Sequence, residues 1–142
     1  MKTKLITLMG ILFLLFSCKT YTIPVDSFRE QMTKSGSEKL REVEINNPIN
    51  TIKNIKYEAN SIKSITVFDK KGDKIKLENS PKLEMRITRK NGKKHILLFD
   101  TVIVKNDTLK GARSRLLQNL TREIALSDVE KIEIEDSGKV YK

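Results

Sequence analysis

The chain has 142 residues, 28 Lys and Arg against 18 Asp and Glu, a formal net charge of +10, and 38% apolar residues, which is room for one small domain and not for two. One His (His95), one Cys (Cys18) and no Trp exclude disulfide scaffolds and Cys/His metal centres, because each needs a further thiol or ligand. No phosphate loop, zinc spacing or dinucleotide fingerprint occurs either, so no metal and no diffusible cofactor is expected.

Met1 to Lys4 carries two lysines, Leu5 to Phe16 is nearly continuous apolar sequence, and Ser17-Cys18-Lys19 follows. That is the order of an export signal. As a helix the apolar run would reach only about 18 Å against roughly 30 Å of bilayer hydrocarbon, too short for a permanent span. The ending Leu15-Phe16-Ser17-Cys18 resembles the lipobox of bacterial lipoproteins, in which the signal is removed before the cysteine and that cysteine is acylated. The resemblance implies a signal peptide over 1–17, a covalent lipid on Cys18, and a soluble body outside the cytoplasm. Several acyl chains give stable anchoring where a single chain does not. With no acidic cluster after Cys18, the periplasmic face of the outer membrane is the preferred address and the cell surface the second.

Beyond Cys18, Lys19 to Pro24 reads as an extended arm. Ser27-x-x-Glu30 offers a capping box, with Phe28 and Met32 four apart on one helical face. From Thr33 to Asn60 the periodicity is weak, Ser-Gly-Ser and Asn-Asn-Pro interrupt it, and a linker is expected, with Ile52 to Tyr57 as a candidate edge strand. The divisions are therefore 1–17 signal, 18–60 lipidated arm, short helix and linker, and 61–142 a small β-domain.

From Ile62 the apolar residues fall into period two, the mark of half-buried strands. Ile65 and Val67 face Ile75 and Leu77 across a Lys70-Lys71-Gly72-Asp73 turn. Leu83, Met85 and Ile87 form a second hairpin, with Asn91-Gly92 supplying two positive-φ turn residues and a return strand from Lys94 through Phe99 toward Val104. Asn106-Asp107 turns into a strand from Thr108 to Arg115, and Arg122 to Leu126 follows a loop. Ser127 to Glu130 reads as one helical turn and Lys131 to Glu135 as the last strand. Leu83, Met85, Ile87, Leu97, Phe99, Ile124, Leu126, Ile132 and Ile134 should share one core. These short strands predict a small SH3-like or Sm-like β-barrel, which removes exposed edges; the alternative is an open antiparallel sheet with one short helix. Asp100-Thr101-Val102, Asn106-Asp107-Thr108-Leu109 and Ile124 to Glu133 resemble the C-terminal half of small Bacteroidota lipoproteins of unassigned function, which implies an envelope location without an activity.

The charge is segregated. Lys70, Lys71, Lys74, Lys76, Lys82, Arg86, Arg89, Lys90, Lys93 and Lys94 meet few acids, whereas the charged residues of 128–136 are all acidic apart from Lys131. Lys70, Lys71, Arg89, Lys90, Lys93 and Lys94 are candidates for one cationic end that meets an anionic lipid surface. The bland alternative is a solvated strand face partly paired with the acidic last strand. Export and the scatter of Tyr57, Phe68, Phe99 and Tyr141 argue against nucleic acid. His95 reads as a rim residue, Asp100 as a bend residue and Asp107 as turn chemistry, so no catalytic residue is assigned. The expected function is a membrane-anchored envelope lipoprotein with a non-catalytic β-domain that binds a protein partner or an anionic surface. The alternative is a structural or assembly accessory of the outer membrane.

Overall fold

A computed structural model describes residues 18–47 and 53–141; the signal segment 1–17 and Ile52 lie outside the described residues. The elements are β1 (Lys19–Ile23), α1 (Val25–Lys34), β2 (Leu40–Ile45), β3 (Ile55–Asn60), β4 (Ser64–Phe68), β5 (Lys74–Glu78), β6 (Leu83–Arg89), β7 (Lys94–Leu98), β8 (Ile103–Lys105), β9 (Thr108–Ala112), β10 (Thr121–Ala125) and β11 (Val129–Asp136). Short 3-10 turns at Phe99–Thr101 and Leu126–Asp128 lead into β8 and β11.

The protein is mainly β and open. A six-stranded sheet runs β5-β4-β1-β11-β6-β7, a three-stranded sheet runs β10-β9-β8, and β2 pairs with β3. The expected SH3-like or Sm-like barrel is not formed: every pairing is antiparallel, and β5 and β7 remain as open edges of the large sheet. The open-sheet alternative with one helix describes the fold. Closure fails because β7 ends at Leu98, where the chain turns through Phe99–Thr101 and leaves for the smaller sheet.

The arm expected at Lys19–Pro24 is extended, but it is an inner strand. β1 lies between β4 and β11, with Lys19 opposite Asp136 and Ile23 opposite Ile132. Only Thr22 pairs with Phe68 on the other side, because Pro24 ends β1 and begins the helix. The Gln31 side chain fills the gap: its Nε2 donates to the Thr66 carbonyl (3.0 Å) and its Oε1 accepts from the Thr66 N–H (2.8 Å). A helix amide thus completes a strand's backbone hydrogen bonding, which a buried strand requires.

Helix α1 starts one turn earlier than the capping-box reading. Pro24 is its N-cap, with Phe28 N–H donating to the Pro24 carbonyl, and no side chain caps it. Ser27 instead accepts from Gln31 one turn later. Phe28 and Met32 are buried as their spacing predicts, and they join the same cluster as Ile65, Met85, Phe99 and Ile132. All the predicted core residues belong to that cluster. There is no core boundary at residue 60, so α1 and β1 are part of the body and not a tether.

The expected linker is a hairpin. β2 pairs with β3 from Leu40 opposite Asn60 to Ile45 opposite Ile55, and Ile45, Tyr57 and Ala59 form a small apolar cluster of their own. Asn60 sews this hairpin to the body, donating to the Phe99 and Val102 carbonyls (3.0 and 2.7 Å) and accepting from Asn79 (2.7 Å).

The turns differ from expectation in one instructive way. At Asn91-Gly92 only Gly92 has positive φ (82°), and Arg89 N–H reaches the Lys93 carbonyl across the loop; Gly72 (φ 85°) closes the β4–β5 hairpin with the same bond pattern. The two-residue turn with both residues left-handed is at Asn106 and Asp107, φ 50° and 55°, between β8 and β9.

Gly111 sets the distance between the sheets. A Cβ there would lie 2.8 Å from Val102 Cγ2 and 3.1 Å from Leu97 Cδ1. Gly111→Ala is therefore expected to destabilise by about 1–3 kcal/mol through overpacking, read as a lower denaturant midpoint at unchanged slope. An unchanged midpoint would mean that the β7–β9 contact gives way freely.

Candidate functional site

The most ordered polar constellation joins residues distant in sequence. Asp100, in the 3-10 turn after β7, is 1% exposed and accepts from the Tyr57 hydroxyl of β3 at Oδ2 and from Arg115 Nη2 at Oδ1 (2.8 Å). Arg115 Nη2 also donates to the Pro81 carbonyl (2.7 Å), and its guanidinium lies 5.2 Å from the Tyr57 ring centre and 5.4 Å from that of Tyr141. Stacking on two rings suits the weakly hydrated guanidinium.

Burial raises the Asp100 carboxyl above its ordinary value, against the pull of Arg115 and Tyr57. Burial, then the hydrogen bond to Asp100, raises the Tyr57 hydroxyl far above its ordinary range, so Tyr57 stays a donor. Arg115 is held cationic by Asp100 and Tyr57 against its own desolvation. Asp100 is therefore not the self-contained bend residue its sequence suggests. It is the centre of a latch between the β2–β3 hairpin, the 3-10 turn, the loop after β9 and the chain's last segment.

Beside the latch lies a cavity of about 140 Å³ lined by Tyr57, Thr101, Gly111, Ala112, Ser114 and Arg115 among others. Small-molecule sites usually run from about 300 Å³ upward, and this one has room for a few waters. Leu40, Leu116, Leu117 and Leu120 are exposed nearby on β2 and the loop between β9 and β10.

The expected single cationic end is not formed. Going from β4 to β1 to β11 to β6 takes three antiparallel steps, so β4 and β6 run in opposite directions and their hairpin tips point to opposite ends. The Lys70–Lys71 turn lies at the Cys18 and Lys19 end, and Lys90, Lys93 and Lys94 lie at the far end, roughly 30 Å away at 3.3 Å per residue. Adjacency in sequence could not reveal this parity. Part of the block is compensated as the bland reading anticipated: Lys82 pairs with Asp136 (3.0 Å), Arg86 with Glu135 (3.4 Å) and Arg89 with Asp128 (2.9 Å). Lys70, Lys71, Lys90, Lys93 and Lys94 have no carboxylate within 4.0 Å among the described residues.

Cys18 is exposed and directly precedes β1. His95 lies on β7 opposite Ile87. Its imidazole is held below its ordinary value, first by burial and then by Arg122, Arg89, Arg113 and Lys93. Asp107 carries the turn and also binds Arg29 of α1 at 2.6 Å, a contact invisible in the sequence. No group of His, Cys, Asp and Glu able to hold a metal occurs among the described residues, and no helix among them is long and apolar enough to cross a membrane. Comparison with protein-family models, with curated proteins and with solved structures finds no match.

Proposed function

We propose that the protein is a bacterial envelope lipoprotein, held by an acylated Cys18 at the outer membrane, preferably on its periplasmic face, whose β-body binds and does not catalyse. The observation that carries the reading is the Leu15-Phe16-Ser17-Cys18 motif after a short apolar run. An exposed Cys18 with no linker before an inner strand is compatible with a body held close against the bilayer. The Lys70–Lys71 turn shares that end and suits anionic headgroups, each basic residue contributing about 1 kcal/mol near such a surface.

A binding role is supported over a catalytic one by the Asp100 latch. Both Asp100 oxygens are engaged by Tyr57 and Arg115, which leaves the carboxylate unsuited to proton transfer with a substrate. The exposed leucines 40, 116, 117 and 120 favour a protein partner.

The test is Cys18→Ala in the full chain. The variant should leave the membrane fraction while its melting temperature stays near wild type, because the anchor takes no part in the core. Wild-type recovery in the membrane fraction would overturn the lipid reading.

A further inference from the structure

At the end of the sheets remote from Cys18, the core gives way to positive charge. Along β6 the buried Leu83, Met85 and Ile87 alternate toward the smaller sheet, and the same alternation puts Arg89 next on that face. Lys93 stands across the hairpin from Arg89, and His95 stands opposite Ile87. The smaller sheet answers in kind. Gly111 faces Leu97, Arg113 follows it by two residues, and Arg122 is paired with Gly111 and alternates with the buried Ile124. Arg89, Lys93, His95, Arg113 and Arg122 therefore lie around one corner where the two sheets meet, the four cations near enough to His95 to hold its imidazole below the ordinary value together with burial.

Two observations separate this corner from an ordinary solvated face. Arg89 has Asp128 at 2.9 Å, but among the described residues no carboxylate lies within 4.0 Å of Lys93, Arg113 or Arg122. Arg89 Nε and His95 Nε2 are buried without a hydrogen-bond partner, a state that a buried polar atom holds only at a cost. Like charges brought together from four elements with unused polar atoms between them fit a guest that supplies negative charge and several acceptors.

We propose that this cationic corner is a binding site for a phosphate group. A tetrahedral, doubly charged oxyanion accepts hydrogen bonds from guanidinium, imidazolium and ammonium donors at once, where a planar, singly charged carboxylate satisfies fewer. The site does not depend on the anchor reading, but its ligand source does. With Cys18 in a membrane, the Arg89–Lys93 tip of this corner lies at the end of the large sheet opposite the anchor, which assigns the phosphate to a small soluble ester and not to a lipid headgroup.

His95 is the chain's one histidine, so its imidazole resonance reports on the site alone. The groups facing it are Arg89 with its partner Asp128, Lys93, Arg113 and Arg122. In the full chain in neutral detergent, inorganic phosphate should move the His95 titration midpoint to higher pH than sodium chloride of equal ionic strength does. It should also raise the melting temperature with concentration. Arg113→Gln with Arg122→Gln, both exposed positions, should weaken phosphate at least roughly tenfold and leave the unliganded melting temperature near wild type. Equal responses to phosphate and chloride, or an unweakened double variant, would overturn the site. Tighter binding to phosphatidylcholine vesicles containing phosphatidic acid than to inorganic phosphate, dependent on Arg113 and Arg122, would overturn the soluble-ester assignment. A phosphate response that persists while Cys18→Ala protein stays in the membrane fraction would sink the anchor reading alone.

Discussion

Asp100→Ala is expected to lower folding stability by about 3–5 kcal/mol, the usual cost of leaving a buried charge without its partner. Arg115 is 8% exposed at the side chain and would keep its charge beside two rings and the Pro81 carbonyl, with Tyr57 losing its acceptor. Asp100→Leu combined with Arg115→Met should cost much less than Asp100→Ala alone, since no charge is then stranded. A wild-type denaturant midpoint for Asp100→Ala would show that the latch contributes nothing. The same cluster sets an alkaline limit. The folded Tyr57 keeps its proton above the ordinary value of 10.0, so its contribution is complete below pH 10 and is lost as pH rises further, where the unfolded chain releases the proton. Tyr57→Phe should flatten that alkaline decline and cost about 1–3 kcal/mol at neutral pH for the Asp100 oxygen left short of a donor.

Phe28→Ala should cost about 3–5 kcal/mol, as much as Phe99→Ala. Both rings are fully buried in one cluster, although the sequence places Phe28 on an arm and Phe99 in the β-domain. Equal losses in a single cooperative transition would establish that residues 19–34 and the later strands form one folding unit. A loss below about 0.5 kcal/mol for Phe28→Ala, the range of surface substitutions, would restore the tether.

What could be read in the sequence follows from how local each signal is. The β6–β7 and β4–β5 hairpins are legible because period-two burial and a Gly turn act within a few residues. The β2–β3 hairpin is not: Arg41, Glu42 and Glu44 are exposed and only Ile45 is buried on β2, so the strand reads as a charge run. β1 is visible as extended, but its partner β11 is over a hundred residues away, and nothing in Lys19–Ile23 names it. Asp100 reads as a bend residue because its partners lie 43 and 15 positions away. His95 reads as a rim residue for the same reason, since Arg113 and Arg122 approach it from another sheet. The basic block misleads differently. Its residues are plain in the sequence, but the direction of each tip depends on how many antiparallel steps separate two strands, and that is set by topology alone.

The pairing of Lys19 with Asp136 constrains the order in which the molecule can be made. β1 and β11 are the two middle strands of the large sheet, and they are the first and last strands among the described residues. Nothing can close the middle of that sheet until Val129–Asp136 has been delivered, however early the flanking hairpins form. Such non-local closure is slow compared with hairpin formation. A growing or threading chain therefore presents separate hairpins with an unfilled centre, and the cooperative body appears only with its final strand. Deleting β11 should consequently leave no reduced version of this fold, only the local hairpins.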